Sequence, residues 1–261
     1  MMELYDTRTN ERGVSESIGF LLIFTIVIAG IGLVTLYGYP LLLQQQVSAD
    51  EKIMEKNMIV LQNDFKSLAY KTVPFKETSL KIGGGSLTVY NSSYNAINSP
   101  TLNITYTGCP TSPCVSFKSG ELRYESVSAQ TDISLQNGAV VMRPRIQPGS
   151  TMLAEPRWFY DKTTQTMVIN LINITSDNII AKEGIGTVRM KLGETNYYPF
   201  DDPAGGMLTI RYTPETDKNT EVAWRNYFTN SLKMGVTGPD YTLTNIKKLV
   251  IKKYEVKIEA I

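Results

Sequence analysis

The sequence contains no histidine among its 261 residues. Histidine is the side chain that most often acts as a general base near neutral pH, and it is the commonest metal ligand in proteins. Its absence argues against acid–base catalysis and against most transition-metal sites. No constellation of nucleophile and base stands out elsewhere in the sequence, so we expect neither an enzyme nor a bound cofactor or metal.

Cysteine is nearly absent as well, since the only two, Cys109 and Cys114, enclose the short segment Pro-Thr-Ser-Pro. Two thiolates cannot complete a tetrahedral zinc site, and their spacing differs from the Cys-x-x-Cys pattern of redox catalysts. We therefore expect a disulfide that closes a small loop. Such a bond persists in an oxidising environment outside the cytoplasm.

An excess of either charge is also missing, because 26 Lys and Arg residues balance 25 Asp and Glu residues to a net charge of +1. Nucleic-acid binding requires a strongly basic surface, so this class of partner is excluded. The one basic cluster, residues 247–248 and 252–253, alternates with apolar residues near the C-terminus. We interpret it as the solvated face or the charged edge of a strand, with a polyanion site as the alternative.

A long apolar run dominates the N-terminal part, where no charged residue occurs between Ser17 and Val47. About 20 apolar residues in helical form cross a bilayer, and each central Leu, Ile, Phe or Val favours insertion by roughly 0.3 to 0.6 kcal/mol. We predict that residues 14–44 form a transmembrane helix in contact with membrane lipid. Tyr39 fits an aromatic belt at its far end, and Pro40 permits a kink there.

The polar residues 1–13 precede this run and form a short leader. A secretory signal peptide has an apolar stretch of only 7 to 15 residues, followed by a small-residue cleavage site. The apolar run of this sequence is longer, and Gly38-Tyr39-Pro40 behind it is a poor cleavage site. Two interpretations remain: a plain signal anchor, or a pilin-type leader that is cut after a glycine in front of a retained helix. The dipeptide Arg12-Gly13 fits the pilin-type leader, and Val14 would then be the first residue of the mature chain.

The stretch from Arg12 to Gly30 reads RGVSESIGFLLIFTIVIAG. It resembles the N-termini of archaeal type IV pilin-like proteins, in which a basic residue and Gly or Ala precede a retained hydrophobic helix. Residues 54–68 and 157–161 are similar to uncharacterised methanogen membrane proteins that share this N-terminus. The resemblance implies a pilin-like architecture and carries over no biochemical activity.

Glu16 has two interpretations. In pilin filaments a carboxylate near the mature N-terminus makes a helix contact with a neighbour's amino group, since an unpaired charge at membrane depth costs about 2.5 kcal/mol or more. Alternatively, Glu16 is a charge at the membrane interface that needs no partner. It would be the third residue after a cut at Gly13, whereas the pilin glutamate is the fifth, and this spacing favours the interface.

Helical periodicity continues over residues 45–73, which we predict to be a helical extension of the stalk. Its apolar stripe follows alternating spacings of four and three residues. The stripe consists of Met54, Met58, Leu61, Phe65 and Leu68. It spans about two heptads, fewer than a sustained coiled coil needs, so packing on the protein's own sheet is favoured over a dimer. Pro74 ends the helix.

Residues 74–261 change to short alternating or β-branched runs between turns, which predicts a β-rich domain with a β-sandwich-like fold. Thr166–Thr175 is so apolar that we expect a central strand covered on both faces. Residues 220–232 predict the one helix, residues 83–85 a glycine turn or bulge, and residues 201–206 a polar turn rather than a calcium loop. The predicted strands are 79–82, 86–90, 102–107, 120–124, 139–142, 150–153, 157–160, 166–175, 186–192, 206–212 and 254–260.

Three segments match the N-glycosylation acceptor, at Asn91, Asn103 and Asn173. About three matches are expected by chance in a chain rich in Asn, Ser and Thr, so the number alone carries no argument. Asn91 follows a strand in a polar loop and is the best acceptor by position. Asn173 ends an apolar strand, where we expect it to be partly buried.

Arg8 and Arg12 before the apolar run are matched by Lys52 and Lys56 after it, so charge does not fix the orientation. The pilin-like start and the cysteine pair favour a cytoplasmic N-terminus and an extracellular β domain.

Two functions follow from these predictions. In the first, the chain is a pilin-like cell-surface protein that assembles with copies of itself or with other pilin-like subunits. In the second, the helix is only an anchor, and the domain binds a surface-layer protein or a motility machine.

Overall fold

The computed structural model describes residues 8–92, 99–215 and 219–261, with side chains described from Ser17 onward. The chain divides into two compact units, residues 1–49 and 50–261. The described part of the first unit, residues 8–49, is helical, and the second unit contains the remaining helix turns and the sheet.

The N-terminal helix consists of α1 (Arg8–Leu33), a π-helical turn (Val34–Gly38) and α2 (Tyr39–Lys71). In the wider turn the Tyr39 N–H donates to the carbonyl oxygen of Val34, five residues back. Pro40 explains this turn, because proline has no N–H and its ring clashes with the carbonyl four residues earlier. The helix therefore continues past the proline at which the sequence permits a kink.

The apolar segment of the first unit is not covered by protein. Its large apolar side chains between Ile18 and Leu43 are 43% to 73% exposed. The hydroxyls of Thr25 and Thr35 donate to carbonyl oxygens four residues earlier, at 2.7 and 2.9 Å, so each has a partner within the helix. The helix from Ser17 is long and apolar enough to cross a membrane, which is consistent with single-pass anchoring.

The second unit is built on a twelve-stranded sheet of order β7-β6-β5-β4-β1-β10-β12-β9-β8, with β2, β3 and β11 attached beside this path. The strands are β1 (Phe75–Tyr90), β2 (Thr101–Tyr106), β3 (Val115–Lys118), β4 (Glu121–Ser126), β5 (Thr131–Gln136), β6 (Ala139–Pro144), β7 (Thr151–Ala154), β8 (Phe159–Asp161), β9 (Thr166–Thr175), β10 (Ile180–Thr213), β11 (Gly235–Thr237) and β12 (Asp240–Ala260). The fold is therefore mainly β with one long N-terminal helix, as the sequence predicts.

The sheet curls so that β9 lies across the beginning of β4 and the turn between β5 and β6. The Asn173 side-chain oxygen accepts from the Gly120 N–H at 3.1 Å, and the Asn137 side-chain oxygen accepts from the Ile172 N–H at 3.0 Å. A Cβ on Gly120 would lie 2.0 Å from the carbonyl oxygen of Ile174, so only glycine permits this approach. The C-terminal half of β9 is buried on both faces, since Leu171 lies in one apolar cluster and Ile172 and Ile174 lie in another.

Several predicted elements need correction. Strand β9 is next to last in the sheet rather than central, and β12 is paired on both sides, so its lysines do not lie on an edge. Strands β3, β5 and β11 were not predicted. The predicted C-terminal helix comprises α3 (Glu221–Asn226) and a π-helical turn (Tyr227–Ser231). The glycines at 83–85 form a bulge in β1, and residues 201–206 form a register shift within β10 rather than a turn.

Buried apolar side chains form two clusters. The helix-side cluster joins the α2 stripe to β1, β4, β5, β10 and β12. The aromatic cluster joins Trp158, Trp224 and Phe228 to the other halves of β10 and β12. Side chains alternate between the two faces of a strand, and β12 accordingly supplies Leu249 to the aromatic cluster and Val256 to the helix-side cluster.

The α2 stripe packs on the protein's own sheet, as predicted. Met54, Met58, Leu61, Phe65 and Leu68 are all fully buried. Gln62 lies beside this stripe, and its amide donates to the carbonyl oxygens of Gly138 at 2.7 Å and Glu155 at 2.9 Å. Two loops that are distant in sequence are therefore hydrogen-bonded to one helical side chain.

Cys109 and Cys114 form the predicted disulfide, and both pack against the aromatic cluster. The two cysteines are five residues apart, and closing so short a loop stabilises the folded state by roughly 2 kcal/mol in the chain-entropy account. We expect the double variant Cys109→Ser/Cys114→Ser to lose about this much free energy of unfolding in urea denaturation of the full chain in detergent. Reductant should lower the free energy of unfolding of the wild-type protein to the value of the variant and should not change that of the variant. A wild-type free energy of unfolding that reductant does not change would contradict the expectation.

Candidate functional site

The sheet face that α2 covers continues beyond the C-terminal end of the helix as an open groove. Along β12, Val256 lies under the helix and Tyr254 packs edge-on against Tyr70 near the helix end, with ring centroids 5.5 Å apart. Val250 and Lys252 lie farther along the same face. The groove has a volume of about 860 Å³, within the range of ligand-binding pockets. We call it the aromatic groove.

Strand pairing arranges the floor of the aromatic groove in rows. The first row is Tyr197, Lys252 and Asn170, on β10, β12 and β9. The second row, two residues along each strand, is Pro199, Val250, Val168 and Phe159. Members of one row lie on neighbouring strands about 4.8 Å apart, and the two rows, two residues apart along each strand, are separated by about 6.6 Å. A polar, cationic row therefore runs beside an apolar row.

The segment before β8 holds Arg157 at the rim. The indole N–H of Trp158 donates to the carbonyl oxygen of Asn170 at 2.7 Å, and the Asn170 amide donates to the carbonyl oxygen of Arg157. Because Trp158 is buried, its neighbours Arg157 and Phe159 point outward, and Phe159 is 48% exposed. The guanidinium carbon of Arg157 lies 5.0 Å from the centre of the Tyr70 ring.

The second cation, Lys252, leans toward β10. Its Nζ lies 5.9 Å from the ring centre of Tyr197, which is 55% exposed. Such contacts between a cation and an aromatic face are favourable and leave the charge accessible. None of the described residues that line the groove is acidic. The groove is therefore positively charged.

Tyr70 and Tyr254, which line the groove, do not offset its positive charge, because their pKa values are raised. Burial raises the pKa of the Tyr70 hydroxyl far above its ordinary value, and burial also raises the pKa of Tyr254. Both phenols are neutral at physiological pH. Burial and the neighbouring Arg157 lower the pKa of Lys66, on the adjacent helix turns. A ligand that enters the groove meets aromatic surface and cations without a competing phenolate.

One border of the aromatic groove is an unpaired segment of sheet. Strand β10 pairs with β1 up to Lys191 and with β2 from Leu208 onward. Between these positions, residues 195–201 pair with β12 on one side and with no strand of the described residues on the other. Tyr197 lies both on this open edge and on the groove floor.

Charges elsewhere are satisfied within the fold. Arg123, buried in β4, contacts the carboxylates of Glu121, Glu125 and Glu215, and its guanidinium carbon lies 4.5 Å from the Tyr90 ring centre. The Arg123 charge is therefore compensated by carboxylates within the fold, and we interpret this buried cluster as structural. Within the described ranges, no three His, Cys, Asp or Glu side chains gather as a metal site.

The predicted cleavage, helix-contact, disulfide and glycosylation residues do not line the aromatic groove. Gly13, Val14 and Glu16 fall within α1, but their side chains lie outside the described part of the structure. Asn103 and Asn173 are half-buried in β2 and β9.

Asn91 is buried, and its side-chain nitrogen donates to the carbonyl oxygen of Ser176 at 2.9 Å. A glycan would have to be attached to this same nitrogen. In this conformation Asn91 is therefore not the most accessible acceptor, contrary to expectation.

The groove itself was missed. Lys252 was noticed only as part of a basic cluster and Arg157 only within the segment 157–161. The lining comes from Ala69, Tyr70, Thr72, Arg157, Phe159, Val168, Asn170, Leu192, Thr195, Asn196, Tyr197, Val250, Lys252 and Tyr254. The available signal was the tyrosine pair at 197–198, which is conspicuous in an otherwise polar stretch.

A helix able to cross a membrane and a β-sheet domain with an open groove define a membrane-anchored, β-rich protein. A family model matches residues 12–255, and the chain belongs to that family, which is described as a family of unknown function (DUF7289). No curated protein and no solved structure matches the chain.

Proposed function

We propose that the chain is an archaeal type IV pilin-like surface protein, anchored or assembled through its N-terminal hydrophobic helix. One observation carries this proposal: the apolar residues 18–43 are exposed, whereas the apolar stripe of α2 is buried against the protein's own sheet. The first set requires lipid or the apolar helices of other subunits around it, because so much apolar surface is unfavourable in water.

In this proposal the N-terminus is cytoplasmic and residues 74–261 form an extracellular domain. The disulfide supports this orientation, since such bonds persist in oxidising surroundings. The partners are membrane lipid and, in a filament, copies of the chain or other pilin-like subunits. Neither catalysis nor a cofactor forms part of the proposal.

Processing of the leader tests the filament form of this function. We expect mass spectrometry of the protein from its native membrane to find Val14 as the first residue. The variant Gly13→Leu should retain residues 1–13, because the small residue before the cut is lost. Gly19→Leu, which faces open space within the apolar run, serves as the matched control and should be processed normally. A wild-type chain that begins at Met1 or Met2 would leave only an anchor.

A second function is favoured by the aromatic groove: a single-pass anchored binding module that attaches to a surface-layer protein or to a motility machine. An open, positively charged groove is not needed by a subunit whose only contacts are made through its helix. Both functions share the retained hydrophobic segment, and they differ in what the domain contacts.

A further inference from the structure

We propose that the aromatic groove and the open edge of β10 bind an acidic segment of a partner protein in extended conformation. The proposal deepens the binding-module function and rests on it. It assigns the chemical class of the ligand, the main-chain edge that it pairs with and the side chains that select it.

Charge selects an anionic ligand. Arg157 and Lys252 both line the groove, no described lining residue is acidic, and neither cation makes a salt bridge to a described residue. Some other strand lysines of this sheet are paired, such as Lys191 with Glu259 and Lys248 with Asp201. The groove therefore presents two cations whose charges are not compensated by the described residues around them.

The open edge selects a peptide over other anions. Residues 195–200 of β10 lie between two register shifts and pair only with β12 among the described residues. Their outward main-chain groups match those of an added strand, which is a common mode of peptide recognition. Pro199 removes one donor, and prolines in sheets occur at edges for this reason. An added strand would therefore lose a hydrogen bond there and keep those on either side.

The rows of the groove predict the sequence pattern of the ligand. On a strand added beside β10, every second side chain faces the groove. A residue level with Tyr197 lies nearest to Lys252, whose ammonium group leans toward that edge. A residue level with Pro199 continues the apolar row of Val250 and Val168. The ligand should carry an acidic residue and an apolar residue two positions apart.

A labelled peptide tests this pattern. The probe is fluorescein-labelled Glu-Thr-Val-Thr repeated three times, and its partner probe has Lys in place of Glu. Binding is followed by fluorescence anisotropy with the full chain in detergent at about 0.15 M salt, where surface charges are screened beyond about 8 Å. We expect saturable binding of the acidic probe and none of the basic probe.

Charge reversal locates the site. We expect Lys252→Glu to weaken binding of the acidic probe at least tenfold. Lys247→Glu is the matched control, since Lys247 is exposed on the same strand but does not line the groove, and it should change binding less than twofold. Equal losses in the two variants would indicate unspecific attraction and overturn the assignment.

Three further outcomes distinguish a wrong ligand class from a wrong function. An acidic probe that is N-methylated at every second residue should bind at least tenfold more weakly; equal binding would overturn strand addition. Polygalacturonate that binds in a Lys252-dependent manner where the peptide does not would overturn the peptide and keep a binding module. If no probe binds, both the ligand assignment and the binding module are contradicted.

Discussion

Two lysines placed in the apolar segment, as Ile23→Lys with Ile28→Lys, are expected to release the chain from the membrane. Both positions are exposed on the N-terminal helix. A lysine near the centre of a spanning helix costs about 2.5 to 3.5 kcal/mol, so two cost roughly 5 to 7 kcal/mol, or four to five orders of magnitude in the insertion equilibrium. The measurement is the fraction of protein that stays with membranes after alkaline carbonate extraction.

The control for this variant uses the same helix beyond the apolar segment. Ile53→Lys with Val60→Lys places equal charge at exposed positions of α2 and should leave the chain in the membrane fraction. Recovery of the wild-type chain in the soluble fraction without detergent would refute the membrane assignment itself.

Truncation of the α2 stripe is expected to have the second large effect. Phe65 is fully buried against the sheet, and Phe65→Ala should lower the free energy of unfolding by about 3 to 5 kcal/mol, because it removes apolar contacts and leaves a cavity. Urea denaturation of the full chain in detergent, followed through Trp158 and Trp224, measures this change. Both tryptophans lie in the sheet unit, so their fluorescence reports on it.

Val60→Ala is the matched truncation, since Val60 lies on the same helix with 48% of its surface exposed. We expect it to change the free energy of unfolding by less than about 1 kcal/mol. Similar losses in both variants would mean that the stripe does not hold the helix to the sheet.

Apolar periodicity and apolar composition in the sequence correctly predicted two elements of this fold, the buried stripe of α2 and strand β9. The helical stripe from Met54 to Leu68 is buried as its period requires, and β9 has the bounds predicted from its apolar composition. Strand β5 was missed because four of the six residues in its sequence, Thr-Asp-Ile-Ser-Leu-Gln, are polar, yet all six are buried. Asp132 is acceptable there only because Arg143 and Arg145 contact its carboxylate.

Long-range pairing explains what the sequence could not predict. An apolar strand is compatible with any covered position, so the composition of β9 did not reveal that it lies next to the short strand β8. The aromatic groove poses the same difficulty, because Tyr70, Arg157, Tyr197 and Lys252 come from four distant parts of the chain. Each is ordinary in its own segment. The pairing of β12 with both β10 and β9, and the packing of Tyr70 on Tyr254, bring them to one groove.

Strands β10 and β12 each supply side chains to both apolar clusters. Neither cluster is therefore a subdomain that can melt while the other persists, because loss of either one removes the strand alignment on which its counterpart is built. The long shared strands thus make the sheet unit a single cooperative folding unit, in which a destabilising substitution in one cluster also destabilises the other.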